Sequence, residues 1–413
     1  MKPSGIEWIG DIPDEWGTKP IKYLCSIVQG ATPDTSSLDY WDGEIPWVTP
    51  ADMSDEGELH APSKFITKKG YDSCTTTMVP VGSVVISSRA PIGKIGYVSI
   101  PICTNQGCKT LVGHILNHRY TYYAAIAAKS EFIRSGRGTT FMELSSDGLG
   151  QVSFPVPPRR EQESIATYLD CTINEANKAY ELLDRQIALL ERYKSSLIHE
   201  AVTKGLDRDV PTRPSGVEWI GEIPEHWKTK RVKYVLDFLD YLRAPIEASQ
   251  RSKDGKTLYP YYGASGIIDE IDDYNVEGPA LLIGEDGANL VLRHLPLVYF
   301  ADGKYWVNNH AHILRPKGGC MRFFFYALEA CDYSQYITGS AQPKLSQGNL
   351  SLVRTPVPPI HEQFEIASFL DDRCSRIDRI LDLKRRQVDV LRRRRQSLIY
   401  EYVTGKRRVD QEA

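Results

Sequence analysis

The feature that most constrains this chain is that it is written twice. PSGIEWIGDIPDEWGTKPIKYL, from Pro3 to Leu24, recurs as PSGVEWIGEIPEHWKTKRVKYV, from Pro214 to Val235. Trp8, Gly10, Pro13, Trp16 and Tyr23 thus return as Trp219, Gly221, Pro224, Trp227 and Tyr234. FPVPPRREQESIATYLD, beginning at Phe154, returns as TPVPPIHEQFEIASFLD, beginning at Thr355, and SSLIHEAVTKG (from Ser195) returns as QSLIYEYVTGK (from Gln396). Residues 25–153 and 236–354 share much less, although Leu144/Leu345 and Leu149/Leu350 stay in register. The frame repeats around two different fillings, which predicts two equivalent modules with separate tasks.

Local chemistry gives the frame its shape. Proline lacks an N–H and biases the preceding residue to extended backbone, so the PVPP segments are rigid exits and neither helix nor central strand. Glu161-Gln162 and Glu362-Gln363 follow at once, placing acid near a helix start where the macrodipole favours it. An apolar row then runs Ala176, Tyr180, Leu183, Ile187, Leu190, Leu197, Ala201, with Lys194 as its one polar step. Its counterpart runs Ile377, Leu381, Val388, Leu391, Leu398, Tyr402, with Lys384 and Arg395 in the gaps. Steps alternating by three and four predict two helices paired along a seam. Continuous stretches of about 30 residues make a rod of roughly 45–50 Å.

The fillings show short β-branched runs between Gly and Pro, as in 83–86, 280–283 and 297–300, followed by single helices over 120–132 and 321–333. The fold class expected is α+β: two mixed, mostly β domains separated by two long antiparallel paired helices, a pseudo-two-fold dumbbell. The expected boundaries are 1–157 and 207–358 for the domains and 158–206 and 359–413 for the helices.

At 413 residues the chain suits two or three domains. Cys25, Cys74, Cys103, Cys108, Cys171, Cys320, Cys331 and Cys374 form no CxxC pairs, the N-terminus lacks an apolar signal core, and no run of 18 apolar residues exists. These features point to a reducing cytoplasm and no membrane span. The net charge of −3 does not favour a polyanion as partner, but residues 372–408 carry 13 Lys/Arg against 5 Asp/Glu, whereas 159–206 carry 7 against 8, so a local basic surface is available.

Catalytic patterns are missing from the sequence: no GxxxxGK[ST], no GxGxxG after a strand, no HExxH, no GxSxG, and PP only in the VPP exits. His361-Glu362 is half a metal motif with Glu365 where the second histidine belongs, so His361 reads as a polar helix-start residue. Cys103 and Cys108 near His114 and His118 suggest zinc only weakly, against the reading of buried apolar cysteines. No catalytic or metal residue is assigned.

PSGVEWIGEIPEHW, the paired P-V-P-P-x-x-E-Q helix starts and the S-L-I-x-E-x-V-T helix ends resemble the specificity (S) subunit of type I restriction-modification systems, over essentially the whole chain and in the family's order. The resemblance implies a non-catalytic, DNA-binding targeting subunit for host defence. Each variable region would be a target recognition domain reading one half of an asymmetric bipartite site in double-stranded DNA. The helices would space the domains and dock two methyltransferase (M) subunits, with restriction (R) subunits joining in the nuclease. It further implies no cofactor in this chain, with S-adenosylmethionine for adenine methylation, and ATP and Mg for the full nuclease, on partner subunits. The rival is a tandem-repeat scaffold binding protein or carbohydrate.

Candidate DNA-binding residues follow from side-chain chemistry. Ser88, Arg89 and Lys94 lie on the loop SSRAPIGKIG, where Arg suits guanine O6/N7 and Lys suits phosphate. Asn105, Gln106 and Lys109 follow, with adenine reading and turn formation both open for the asparagine. Arg137, Thr139, Gln342 and Lys344 sit on small polar loops at the same place in the repeat, although Glu143 stands opposite Lys344. Asn308, Asn309 and His310 offer amide and imidazole groups to base edges. The acidic loop Gly284-Glu285-Asp286-Gly287 reads as a solvated turn in preference to a cytosine reader. Trp8, Trp16, Trp219 and Trp227 read as core anchors, and Arg392 to Arg395 read equally as a solvated run or a phosphate or partner contact.

Overall fold

Why each PVPP motif is needed is visible in the two arms. In the computed structural model, which describes residues 1–60, 62–137, 142–253 and 257–409, the strand Gly17–Pro20 pairs antiparallel with Ser153–Val156, and Lys228–Arg231 pairs in the same way with Arg354–Val357. Each first proline of PVPP therefore sits in a two-stranded ribbon, where its missing donor is tolerated. The next residues close the joint. Gln162 donates from Nε2 to the Pro157 carbonyl and accepts the Asn117 N–H at 2.8 Å, while Gln363 donates to Pro358 and accepts the Cys320 N–H at 2.9 Å. Glu161 and Glu362 accept the indole N–H of Trp16 (3.2 Å) and Trp227 (2.9 Å). Those two tryptophans are fully buried anchors, and Trp8 and Trp219 pack partly buried against the same cores.

The chain divides into two compact units: Met1–Leu183 with the stretch from Arg386 onward, and Asp184–Arg385. In the first, a five-stranded sheet runs Cys25–Gln29, Cys108–Gly113, Val84–Ser87, Ile95–Val98, Glu56–Leu59, antiparallel except for the last pair. A three-stranded sheet has the order Cys103–Thr104, Trp41–Val48, Lys64–Ile66. The helix expected over 120–132 forms as two pieces, His118–Ala127 and Lys129–Arg134, parted at Ala128. In the second unit the sheet is Leu236–Phe238, Ala311–Pro316, Ala280–Gly284, Val298–Ala301, all antiparallel, followed by the helix Met321–Glu329. A four-stranded sheet, Gly266–Ile271, Tyr259–Gly263, Lys304–Val307, Val276–Glu277, completes it. The plan is the same in both, and the short apolar runs read from the sequence are central or neighbouring strands.

The long helices exceed the expected length. They span Arg159–Lys204, 46 residues, and Ile360–Val403, 44 residues, about 66–69 Å at the helical rise. The seam accounts only for their later parts; the first turns, with Ile165, Ala166, Leu169 and Ile173, or Ile366, Ala367, Leu370 and Cys374, are buried against the core of their own unit. The heptad reading of the seam holds: every position of both predicted rows is buried or half-buried. Within the first unit the segments run antiparallel, with the Tyr168 ring tilted against that of Tyr402 (centroids 4.6 Å apart) and the Tyr180 hydroxyl donating to the Val388 carbonyl (3.3 Å). Within the second, the polar steps find each other: Lys194 pairs with Asp378 (2.6 Å), Lys384 donates to Gln186 (2.6 Å), and Arg385 pairs with Glu191 (2.7 Å).

The repeated helix ends have a structural reason. Ile399, Tyr402 and Val403 complete the core of the first unit, beside Trp16 and Tyr120, whose hydroxyl donates to the Val403 carbonyl. Ile198, Ala201 and Val202 do the same in the second, beside Trp227. Each unit also carries a matching bolt from its domain helix to a long helix: Arg119 and Tyr123 on Asp170, Arg322 and Tyr326 on Asp371. Arg119 Nη1 also pairs with Glu58 at 2.8 Å. No helix among the described residues is long and apolar enough to cross a membrane.

Candidate nucleic-acid interface

Dissimilar as their sequences are, the two fillings build one lattice. In the first unit the Ser88 N–H donates to the Gly107 carbonyl, the Leu144 N–H donates to the Ser88 carbonyl, and Glu143 forms bridges with both Arg89 and Arg137. In the second, the Glu285 N–H donates to His310, the Leu345 N–H donates to Glu285, and Lys344 bridges both Asp286 and Thr338. Asn105 and Asn308 occupy the same turn, each accepting a backbone N–H two residues on, from Gly107 (3.0 Å) and His310 (2.8 Å). Three separate segments thus converge in each unit: the loop after the central strand, the asparagine turn, and the hairpin before the repeated leucine, Leu144 or Leu345.

On this shared backbone the side chains are exchanged. Arg89, exposed, and Glu143, half-buried, pair at 3.4 Å in the first unit. At the matching positions the second unit has Asp286 and Lys344, so basic and acidic residues change places. Asp286 is taken by His310 (2.7 Å), and Lys344 turns to Glu285 (3.1 Å), which replaces Ser88. Burial acts against the Glu285 charge, but Arg243 and Lys344 hold its carboxyl below the usual range. One strand further in, Lys109 faces Gln29 (3.4 Å), and the matching His312 lies between Asp240 (2.6 Å) and the Leu345 carbonyl (2.8 Å).

The lattice sorts the sequence candidates. Arg89, Arg137, Asn309, His310, Gln342 and Lys344 are exposed or half-exposed around it. Lys94 is corrected: its ammonium donates to the Pro50 (2.9 Å) and Met53 (2.8 Å) carbonyls and ties the loop to its neighbour. Lys109 is corrected too, being only 2% exposed, with burial lowering its pKa. Ser88 and Asn308 are buried, and Asn105 makes the turn rather than presenting its amide. Gln106 accepts from the Thr32 hydroxyl. Thr139 lies outside the described residues.

Arg392 lies 5.9 Å over the Tyr180 ring, Arg395 pairs with Glu56, and both line a cleft of about 570 Å³ in the first unit. Cys103 and Cys108 are buried thiols, pushed up by burial to about 11 and about 12, and no group of three or more His, Cys, Asp or Glu among the described residues is placed to hold a metal. His361 is exposed at the helix start, 4.0 Å from Glu362.

Sequence reading missed Asp240 and Arg243, and its solvated turn is corrected at Glu285, which is buried between Arg243 and Lys344. Burial opposes the Asp240 charge, but bonds to His312 and the Ile313 N–H, with Arg243 nearby, hold its carboxyl below the usual value. Asp240→Ala leaves a fully buried imidazole and a backbone donor without their acceptor. The expected cost is about 3–5 kcal/mol in the second unit. Because the folded pKa is the lower one, this stabilisation is complete above the unfolded value near ~3.9 and fades as pH falls through the folded value. Denaturant titrations of both proteins at pH 7 and in acid check it: the gap between them should narrow in acid.

The comparisons agree with this architecture. A model of the type I restriction modification DNA specificity domain matches residues 13–183 and again residues 224–388. The chain is 32% identical over 246 residues to the type I restriction enzyme MjaIX specificity subunit of Methanocaldococcus jannaschii, an alignment covering 57% of this chain and 55% of that protein. It thus spans about half the length of that relative. It is 22% identical over 377 residues to the EcoprrI specificity subunit of Escherichia coli, covering 89% and 87%. A solved chain from work on complex assembly and conformational transition of the type I R-M system superposes with a TM-score of 0.68 at 14% identity, over 96% of this chain and all of that one, which supports the fold. Since the domain model covers both copies of the repeat, and with them most of the sequence, this chain belongs to the type I restriction modification DNA specificity domain family.

Proposed function

We propose that the chain is the DNA-reading specificity subunit of a type I restriction-modification complex, each unit reading one half of an asymmetric bipartite site. The observation that carries this reading is the lattice itself: one backbone arrangement, built twice, presenting exchanged charges at matching exposed or half-buried positions. A base edge is distinguished by its donor and acceptor pattern, so exchanging Arg89 for Asp286 and Glu143 for Lys344 on a fixed frame changes which edge is complemented. The chain contributes the address, and the long helices hold the readers and dock two M subunits. Methyl transfer from S-adenosylmethionine to adenine, and the ATP- and Mg-dependent nuclease of the R subunits, belong to those partners, in the cytoplasm.

The test is to co-express the chain with candidate M subunits from the same genome and map methylated adenine in the host DNA. Two dissimilar half-sequences separated by a fixed unread spacer are expected. If no complex forms and no methylated motif appears, the reading is wrong and the scaffold alternative takes its place.

A further inference from the structure

The arm ribbon of the second unit carries a charge that its fold does not require. There Arg231 lies directly opposite Arg354, and like charges facing across strands are destabilising. Lys228 and Lys230 are exposed on the same strand, and Lys233 follows it. None of these five cations joins an ion pair or donates a side-chain hydrogen bond among the described residues. Lys233 only lies 5.3 Å over the ring of Tyr234, itself 61% exposed. The first unit is an internal control. Its ribbon has the same register but sets Pro20 opposite Ser153 and Gly17 opposite Val156. It keeps Lys19, Lys22 and the exposed Tyr23, with Lys22 5.1 Å over that ring. The ribbon folds without the extra cations, which alternate between its two faces, Lys228 and Lys230 on one and Arg231 with Arg354 on the other, so their presence has another cause.

The ribbon's place in the fold indicates what it meets. One six-residue helix, Gln347–Leu352, joins it to the hairpin that carries Lys344. Six residues rise about 9 Å, less than three nucleotide steps of about 3.4 Å along one strand of a duplex. We propose that Lys228, Lys230, Arg231, Lys233 and Arg354, with the Tyr234 hydroxyl, form a sequence-independent seat for the phosphodiester backbone beside the second half-site, with no equal in the first unit. This rests on the DNA-reading function above. Charge complementarity commits the surface to a polyanion: five cations without carboxylate partners, in a chain whose net charge is −3.

The experiment uses the chain assembled with its M subunits and a labelled duplex bearing the mapped site, titrated between 50 and 200 mM salt. Each phosphate neutralised contributes about 0.9 to the slope of log K against log salt. The variant Lys228→Gln/Lys230→Gln/Arg231→Gln/Lys233→Gln should lower the slope by about 2–4 and leave the recognised sequence unchanged. Replacing the three lysines by arginine should keep the wild-type slope, and Lys19→Gln/Lys22→Gln should lower it by less than the second-unit variant. An unchanged slope with site-specific binding retained overturns the seat while leaving the reading function intact. Loss of M-subunit assembly in the variant also overturns it, making the ribbon a protein-docking face. Absence of site-specific binding by the wild-type complex defeats the reading and the seat together.

Discussion

A chain stopped after Arg395 should lose the fold of its first unit while the second unit survives. The deleted segment supplies Ile399, Tyr402 and Val403, all buried beside Trp16, Tyr120 and Leu169. It also supplies Lys406, which donates to the Ile9 (2.9 Å) and Asp11 (2.5 Å) carbonyls, and Arg408, which pairs with Glu15 and Glu161. Each fully buried apolar side chain stabilises by about 1.5–3 kcal/mol, so three remove roughly 5–9. That is comparable to the whole stability of an ordinary domain, about 5–15 kcal/mol. The second unit takes Ile198, Ala201 and Val202 from the first long helix and loses none of its core. Hydrogen exchange resolves the two: protection should collapse in Val84–Ser87 and Cys108–Gly113 and persist in Ala280–Gly284 and Ala311–Pro316. Unchanged protection in the first pair would show that the helix end is dispensable there.

The double exchange Arg89→Asp/Glu143→Lys should alter the half-site read by the first unit and leave the other half unchanged. Arg89 is exposed and Glu143 half-buried, and the exchange keeps an opposite-charge pair across the same bridge, in the order the second unit already uses. Stability should therefore change by less than about 1 kcal/mol, as for other surface pairs. Recognition should change far more, since a bidentate side-chain-to-base contact discriminates by about 1–3 kcal/mol, or about 5–150-fold. Methylation mapping of the exchanged protein reads this directly. An unaltered motif would remove Arg89 and Glu143 from the reading surface.

The repeated frame was legible because its residues act through local chemistry. Proline bars helix, a three-four apolar rhythm gives a seam, and acid favours a helix start; Glu161, Gln162 and their copies needed only those rules to be placed. Their second task, accepting a tryptophan N–H and closing the PVPP joint, depends on partners such as Trp16 and Asn117, which no local rule supplies. The same limit applies to the helix ends, since SLIHEAVT and SLIYEYVT show repetition but not the core that each completes.

At the candidate site, charge alone misled. Lys94 carries the charge of a phosphate ligand, but its ammonium is taken by the carbonyls of Pro50 and Met53. For Lys109 a usable signal was present: with a period of two it shares a strand face with Leu111, which points into the core. His312 shares a face with Leu314 in the same way. Asp240 was not legible, because its role arises only where the short 3-10 turn Asp240–Leu242, just past the strand Leu236–Phe238, brings its carboxylate to His312 and the Ile313 N–H.

On this reading target choice belongs to the two dissimilar fillings and not to the repeated frame, each unit reading its own half. This division is tested most directly by replacing residues 25–153 with a second copy of 236–354, co-expressing the chimera with the M subunits, and mapping methylated DNA. A site with the same half-sequence at both ends is expected, matching the half assigned to the second unit in the parent protein. A folded, assembled chimera that still methylates the parent's asymmetric site would contradict it.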